Sequence, residues 1–194
     1  MVRYWFAGIL LAALTITLAP KESAAEMKKT KKQVEVVQIE DIENPQAGFK
    51  VELKVDKPDA TYKPGENVIV TLKTNKDCQV TLFNVGSGGK VHIIFPNEYQ
   101  KDNKVKANQE YRIPPEGAKF AFKVSGPAGE DVIKAIATLD NIKLLGESDT
   151  KPDGAFQQVA LKEIEVVEKI EDNLPKDPKR WAETEVTIKV VASK

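Results

Sequence analysis

The 194-residue chain contains one histidine, His92, and one cysteine, Cys78. Any Ser-His-Asp or Cys-His relay must pass through His92, and a thiol nucleophile could only be Cys78. His92 lies in the apolar run Val-His-Ile-Ile-Phe, with no nucleophile-elbow sequence beside it. That setting reads as a strand side chain, not a general base. Zinc takes three or four ligands from His, Cys and carboxylates, and one His with one Cys is a thin supply. The residue types therefore disfavour a hydrolase. No catalytic, metal-ligating or cofactor-binding residue is assigned, and no cofactor is expected.

The stretch GSGGKVHIIFPN, residues 86–97, tests for phosphate chemistry. A Walker-type loop runs G-x-x-x-x-G-K-[ST] and opens a helix whose N-terminus faces the phosphate. Aligned on Gly89-Lys90, its first glycine falls on Asn84 and its hydroxyl on Val91. The pattern G-x-G-x-x-G fails too, because its last glycine falls on Val91 or Ile93. A strand-like run follows instead of a helix, so the glycines read as a hairpin turn. DTKPDG, residues 149–154, resembles the start of a calcium loop, which needs an acid or amide third and a glutamate twelfth. Those positions hold Lys151 and Ala160. Glu40, Asp41 and Glu43 could hold calcium only weakly, and nothing in their spacing requires it.

The elements that must position these residues are mostly strands. Phe49, Val51, Leu53 and Val55 alternate with Lys50, Glu52, Lys54 and Asp56. Val68, Val70 and Leu72 repeat the pattern, as do Phe120, Phe122 and Val124, and Val186, Ile188 and Val190. Strict alternation puts one face in a core and one in water. Residues 80–85, 91–95 and 132–137 are apolar on both faces and read as central strands. Residues 34–39 and 111–113 are weaker candidates. Turn residues at 63–65, 75–77, 114–117 and 125–127 separate the runs. The expectation is a mainly β chain: an antiparallel sandwich of immunoglobulin-like or Greek-key type with seven to nine strands. Phe156, Ala160, Ile164, Val167, Ile170 and Leu174 recur at steps of three and four. They predict one amphipathic helix over about residues 155–173, before the last strand, capped by Asp153.

The N-terminus reads as an export signal. Arg3 precedes an uncharged, mostly apolar run over residues 5–19, and Ser23-Ala24-Ala25 fits a signal-peptidase site. The run is short of the roughly 20 residues of a spanning helix, so cleavage after Ala25 is preferred to a membrane anchor. No cysteine follows the run to carry a lipid. Domain boundaries follow: signal peptide 1–25, N-terminal tail and possible first strand 26–45, single sandwich domain 46–194. Cleavage removes Arg3, Lys21 and Glu22, moving the formal charge from zero to −1. That balance gives no pull towards nucleic acid. The basic residues Lys28, Lys29, Lys31 and Lys32 read as a solvated tail. A single cysteine forms no internal disulfide, and a chain this long needs none. The protein is expected to be periplasmic or secreted, with no span after cleavage.

Tyr62-x-x-Gly65-Glu66, residues 80–85, Gly89 and Phe95-Pro96-Asn97 stand in a distinctive order. Asn103-x-Val105-x-Ala107, Tyr111-x-Ile113-Pro114, residues 120–124 and Pro127-x-Gly129-Glu130 continue it. Over about residues 61–138 the sequence resembles the bacterial domain-of-unknown-function family 4384. The resemblance implies an accessory or recognition module, because some members are attached to protein-kinase or caspase-like peptidase domains. It supplies no catalytic set. The shared residues themselves read as structural turns and strand ends.

The resulting expectation is a non-catalytic module acting by protein contacts in the cell envelope, with another envelope or secreted protein as partner. The alternative is a glycan- or peptidoglycan-binding module using an aromatic surface of Tyr62, Tyr99, Tyr111 and Trp181. Trp181 reads equally as a core anchor at the start of the final strand, since tryptophan is usually largely buried.

Overall fold

Apolar residues at every second position give these segments one face to bury, and paired sheets are how the chain buries them. The computed structural model describes residues 38–192. The expected signal peptide, its cleavage site, the lysine-rich run and residues 34–37 lie outside the described residues. A small sheet takes the order β1 (Val51–Val55), β4 (Val70–Thr74), β8 (Glu110–Ile113). A large sheet runs β11 (Thr150–Asp153), β12 (Phe156–Val159), β6 (Val91–Phe95), β5 (Cys78–Val85), β10 (Gly129–Thr138), β13 (Trp181–Val190), β2 (Thr61–Tyr62). Within it β7 (Lys104–Val105) also pairs with β5. A two-stranded ladder joins β3 (Asn67–Val68) to β9 (Phe122–Lys123). Pairing is antiparallel except between β13 and β2.

The expected mainly β, sandwich-like architecture is present, with one helix before the last strand. Strands among the described residues number thirteen, above the seven to nine expected. The unexpected strands are the two-residue ladders β2 and β7, too short to leave a periodicity, and β11 and β12, read as a loop and the start of the helix; β3 and β9 fall on the alternating runs at Val68 and Phe122.

Two apolar clusters lie on opposite faces of the large sheet. Val80, Leu82, Ile133 and Ala135 meet Val51, Val70, Leu72 and Ile113 of the small sheet. Phe83 and Ile136 meet Val166, Val167 and Ile170 of helix α1 (Glu163–Asn173). This explains why β5, β6 and β10 lack clean alternation: they are covered on both sides, as the sequence implied. The opposite face also holds Lys134, only 1% exposed. Its ammonium donates to Glu40 O at 3.0 Å and pairs with Glu183 and Glu185, both at 3.1 Å.

The helix is shorter than the expected 155–173. Gly154 has φ +62°, and with Ala155 it forms a two-residue turn that pairs β11 with β12. A glycine at the first central position is what a type II′ hairpin turn demands. Phe156 and Ala160, read as the first turns of the helical stripe, are therefore a strand residue and a residue just past its end. Asp153 pairs across the hairpin and caps nothing. Lys162 is the N-cap, its N–H donating to Glu165 Oε2 at 3.1 Å.

Part of the segment read as an N-terminal tail packs on the sheet. Ile39 begins a 3-10 turn, Ile39–Asp41, where a strand was expected to end. Ile39 and Ile42 are buried against the helix side of the large sheet. Burying each is worth about 1.5–3 kcal/mol, enough to hold this segment in the fold. Asn44 anchors it further, its Nδ2 donating to Pro178 O at 2.7 Å and Trp181 O at 2.6 Å. The described residues belong to the unit Val36–Lys194.

Candidate functional site

Asn84 of β5 and His92 of β6 face each other in the ladder. They share the sheet face of Leu82 and Ile94 but lie beyond the small sheet's cover, so a groove opens above them. It measures about 380 Å³, near the low end of ligand pockets. One wall is Phe120, Ala121, Phe122 and Lys123; the other is the turn of the β11–β12 hairpin. Lys90 and Ser125 complete the rim.

The hairpin is held by polar contacts at its turn. His92 Nε2 lies 2.9 Å from Asp153 Oδ2. Glu98 N donates to Ala155 O at 3.0 Å, tying the turn to the loop after β6. Asn97 shapes that loop: its Oδ1 accepts from Tyr99 N and Gln100 N, and its Nδ2 donates to Ile94 O. This is the structural role read for Asn97 in the sequence. The loop carries Tyr99, 58% exposed, onto Phe120. The two rings stack at 4.9 Å and 7°. Phe156 then meets Phe120 and Phe122 edge-on, at 5.9 Å in both cases. Four aromatics thus form one contiguous cluster, of which Phe120, Phe122 and Phe156 line the groove.

Two features of the groove are unspent. Asn84 is 8% exposed, and its Nδ2 has no hydrogen-bond partner among the described residues. An unsatisfied buried amide costs about 1–3 kcal/mol. In addition β9 pairs with β3 alone, so its other edge carries no strand among the described residues.

A relay does not assemble here. His92 has a carboxylate partner that sequence spacing missed, since 61 residues separate it from Asp153. Cys78, however, sits six residues along β5 from Asn84, about 20 Å at the rise of a strand. Cys78 is buried, and that desolvation pushes its thiol pKa up, away from thiolate chemistry. Ser125 lines the groove, but no hydrogen bond joins its hydroxyl to His92 among the described residues. Residues 86–90 form the β5–β6 hairpin turn, with Gly89 at φ +76° and Gly86 N donating to Lys90 O at 2.9 Å. Asp149 faces Lys169 while Asp153 faces His92, so the DTKPDG carboxylates do not converge. Among the described residues no group of three His, Cys or carboxylates is placed to hold a metal.

The four aromatics expected to form a surface are not joined by any ring contact among themselves. Tyr62 is a correction: it is 0% exposed in the sandwich core. Its hydroxyl donates to Asp56 Oδ1 at 2.9 Å, and burial keeps the phenol protonated far above its usual range. Tyr111 packs half-buried beside the same core, its hydroxyl accepting from Lys106 N at 2.9 Å. Trp181 packs half-buried against the cluster on the opposite face. It lines a separate hollow of about 420 Å³ with Asp41, Glu43 and Glu171. Of the four, only Tyr99 stands beside the groove, stacked on its lining residue Phe120. Phe120, Phe122, Phe156, Asn84 and Asp153 were missed as site residues. Phe120 and Phe122 were visible in the sequence as core alternation, and Phe122, 6% exposed, does belong to the core cluster while also lining the groove.

Residues 61–141 match the family model described as Domain of unknown function (DUF4384), so the chain carries that resemblance over β2 to β10. No curated protein and no solved structure matches the chain. The matched segment supplies Asn84, His92 and Phe120 to Ser125, while the hairpin wall with Asp153 and Phe156 lies outside it.

Proposed function

We propose that this chain, in which a DUF4384 segment is completed by a hairpin outside the match, is an exported, non-catalytic module acting by protein contacts in the bacterial cell envelope. The observation that carries the reading is the groove itself. An aromatic wall, an open strand edge and an unpartnered buried amide stand together, while no nucleophile is aligned with His92. An open edge offers main-chain hydrogen bonds to an added strand, and adjacent pockets select its side chains. Because one wall comes from the hairpin, specificity would vary with that hairpin among chains sharing the segment.

The second reading is a glycan module, and the observation favouring it is Trp181 beside three carboxylates in its own hollow. The test is retention of envelope material by immobilised protein, compared with Phe120→Ala. Protein contact predicts retained protein that survives muramidase digestion and is lost in Phe120→Ala. Retention abolished by muramidase and indifferent to Phe120 would overturn it.

A further inference from the structure

The charges around the groove are unbalanced. Lys90 and Lys123 both line the groove and are exposed, and neither makes an ion pair among the described residues. The groove's one carboxylate, Asp153, is engaged by His92. Asp131, near the start of β10, accepts from Ser87 N at 2.7 Å. The groove therefore presents two free ammonium groups around a floor of Asn84, His92 and Ile94. Asn84, more than nine-tenths buried, adds an amide with an unmet hydrogen bond. The aromatic wall calls for one apolar side chain between the cations.

We infer that the groove takes an acidic, extended peptide segment of a partner protein, with an apolar side chain seated against Phe120, Phe122 and Phe156 and flanking carboxylates on Lys90 and Lys123. This rests on the groove being the contact site. Strand addition at the open edge of β9 sets the peptide's direction, and the lysines select its charge. A basic or neutral segment offers neither lysine a carboxylate.

The probe is the blocked peptide Gly-Asp-Glu-Phe-Glu-Asp-Gly, compared with versions carrying Asn and Gln, or Lys, in place of the acids. Titration is followed by backbone amide NMR shifts. The acidic peptide is expected to saturate shifts at Asn84, His92, Phe122 and Phe156. The neutral version should bind about tenfold more weakly, and the lysine version should leave those amides unmoved. In Lys90→Gln/Lys123→Gln affinity for the acidic peptide should fall about tenfold, as two exposed pairs allow. The unfolding midpoint of that variant should be unchanged. If the neutral peptide shifts the groove as strongly, the acidic inference falls and the groove reading stands. If no peptide shifts the groove, or the shifts map elsewhere, both fall.

Discussion

His92 and Asp153, 61 residues apart in sequence, meet at 2.9 Å and fasten the β11–β12 hairpin to the central strand β6. The imidazole is mostly covered while the carboxylate is largely exposed, with 19% and 59% of their side chains accessible. A pair so open to solvent contributes little to global stability, about 0–1 kcal/mol. Asp153→Asn should therefore lower unfolding free energy by less than about 1 kcal/mol. It should nonetheless speed amide exchange at Phe156 and Gln157 more than in β10. Equal slowing or quickening throughout the sheet would argue against a local clasp.

Asn84 is expected to trade stability for binding. Its Nδ2 is buried without a partner, which costs about 1–3 kcal/mol. Asn84→Leu keeps the size and removes the unmet donor. Chemical denaturation should show equal or greater stability, while groove ligands bind more weakly. A clear loss of stability would mean that the amide is satisfied and structural.

Asp149, just before β11, links the base of the β11–β12 hairpin to helix α1, with Lys169 Nζ 2.5 Å from its Oδ1 and Gly146 N donating to its Oδ2 at 2.7 Å. The Lys169 contact first, and the Gly146 N–H second, hold its carboxyl below the usual aspartate range. A carboxyl bound more tightly as an anion in the folded state stabilises the fold above its unfolded pKa. That contribution is lost as pH falls through the lowered, folded value. Stability should thus drop on the acid side of the ordinary aspartate range, and Asp149→Asn should make that limb shallower. An unchanged acid limb in the variant would remove Asp149 from the account.

Trp181 distinguishes the helix-side packing from a sugar platform. In protein beginning at Glu26 it is the sole tryptophan. Half-buried against the helix-side cluster, it should show partly shielded emission. Trp181→Ala should cost about 2 kcal/mol, below the 3–5 kcal/mol of a fully buried ring. Red-shifted, easily quenched emission that responds to peptidoglycan fragments would favour the glycan reading.

Much of the fold was legible because alternation survives wherever one face meets water. Residues 51–55 and 186–190 announced their strands this way, and the doubly covered residues 80–85 and 132–137 announced central ones. The short ladders β2 and β7 were illegible, since two residues carry no period. The helix was overextended because Phe156 and Ala160 happen to continue a three-four spacing, and the decisive residue was Gly154, whose turn makes a hairpin. The groove was harder still. Phe120 and Phe122 look the same in sequence whether their outer neighbour is core or open space. Asn84 carries no mark that its partner is missing, and the His92–Asp153 pair depends on a hairpin folding back over 61 residues.

The most direct test of the groove as a protein-contact site is photocrosslinking in the native envelope, with a benzophenone side chain replacing Phe120 or the exposed Thr187 on β13. Phe120 tolerates an aromatic replacement because it is only half-buried. The account predicts an adduct from position 120 that protease digests and muramidase leaves intact, with none from position 187. Equal adducts from both positions, none from position 120, or an adduct removed by muramidase would contradict it.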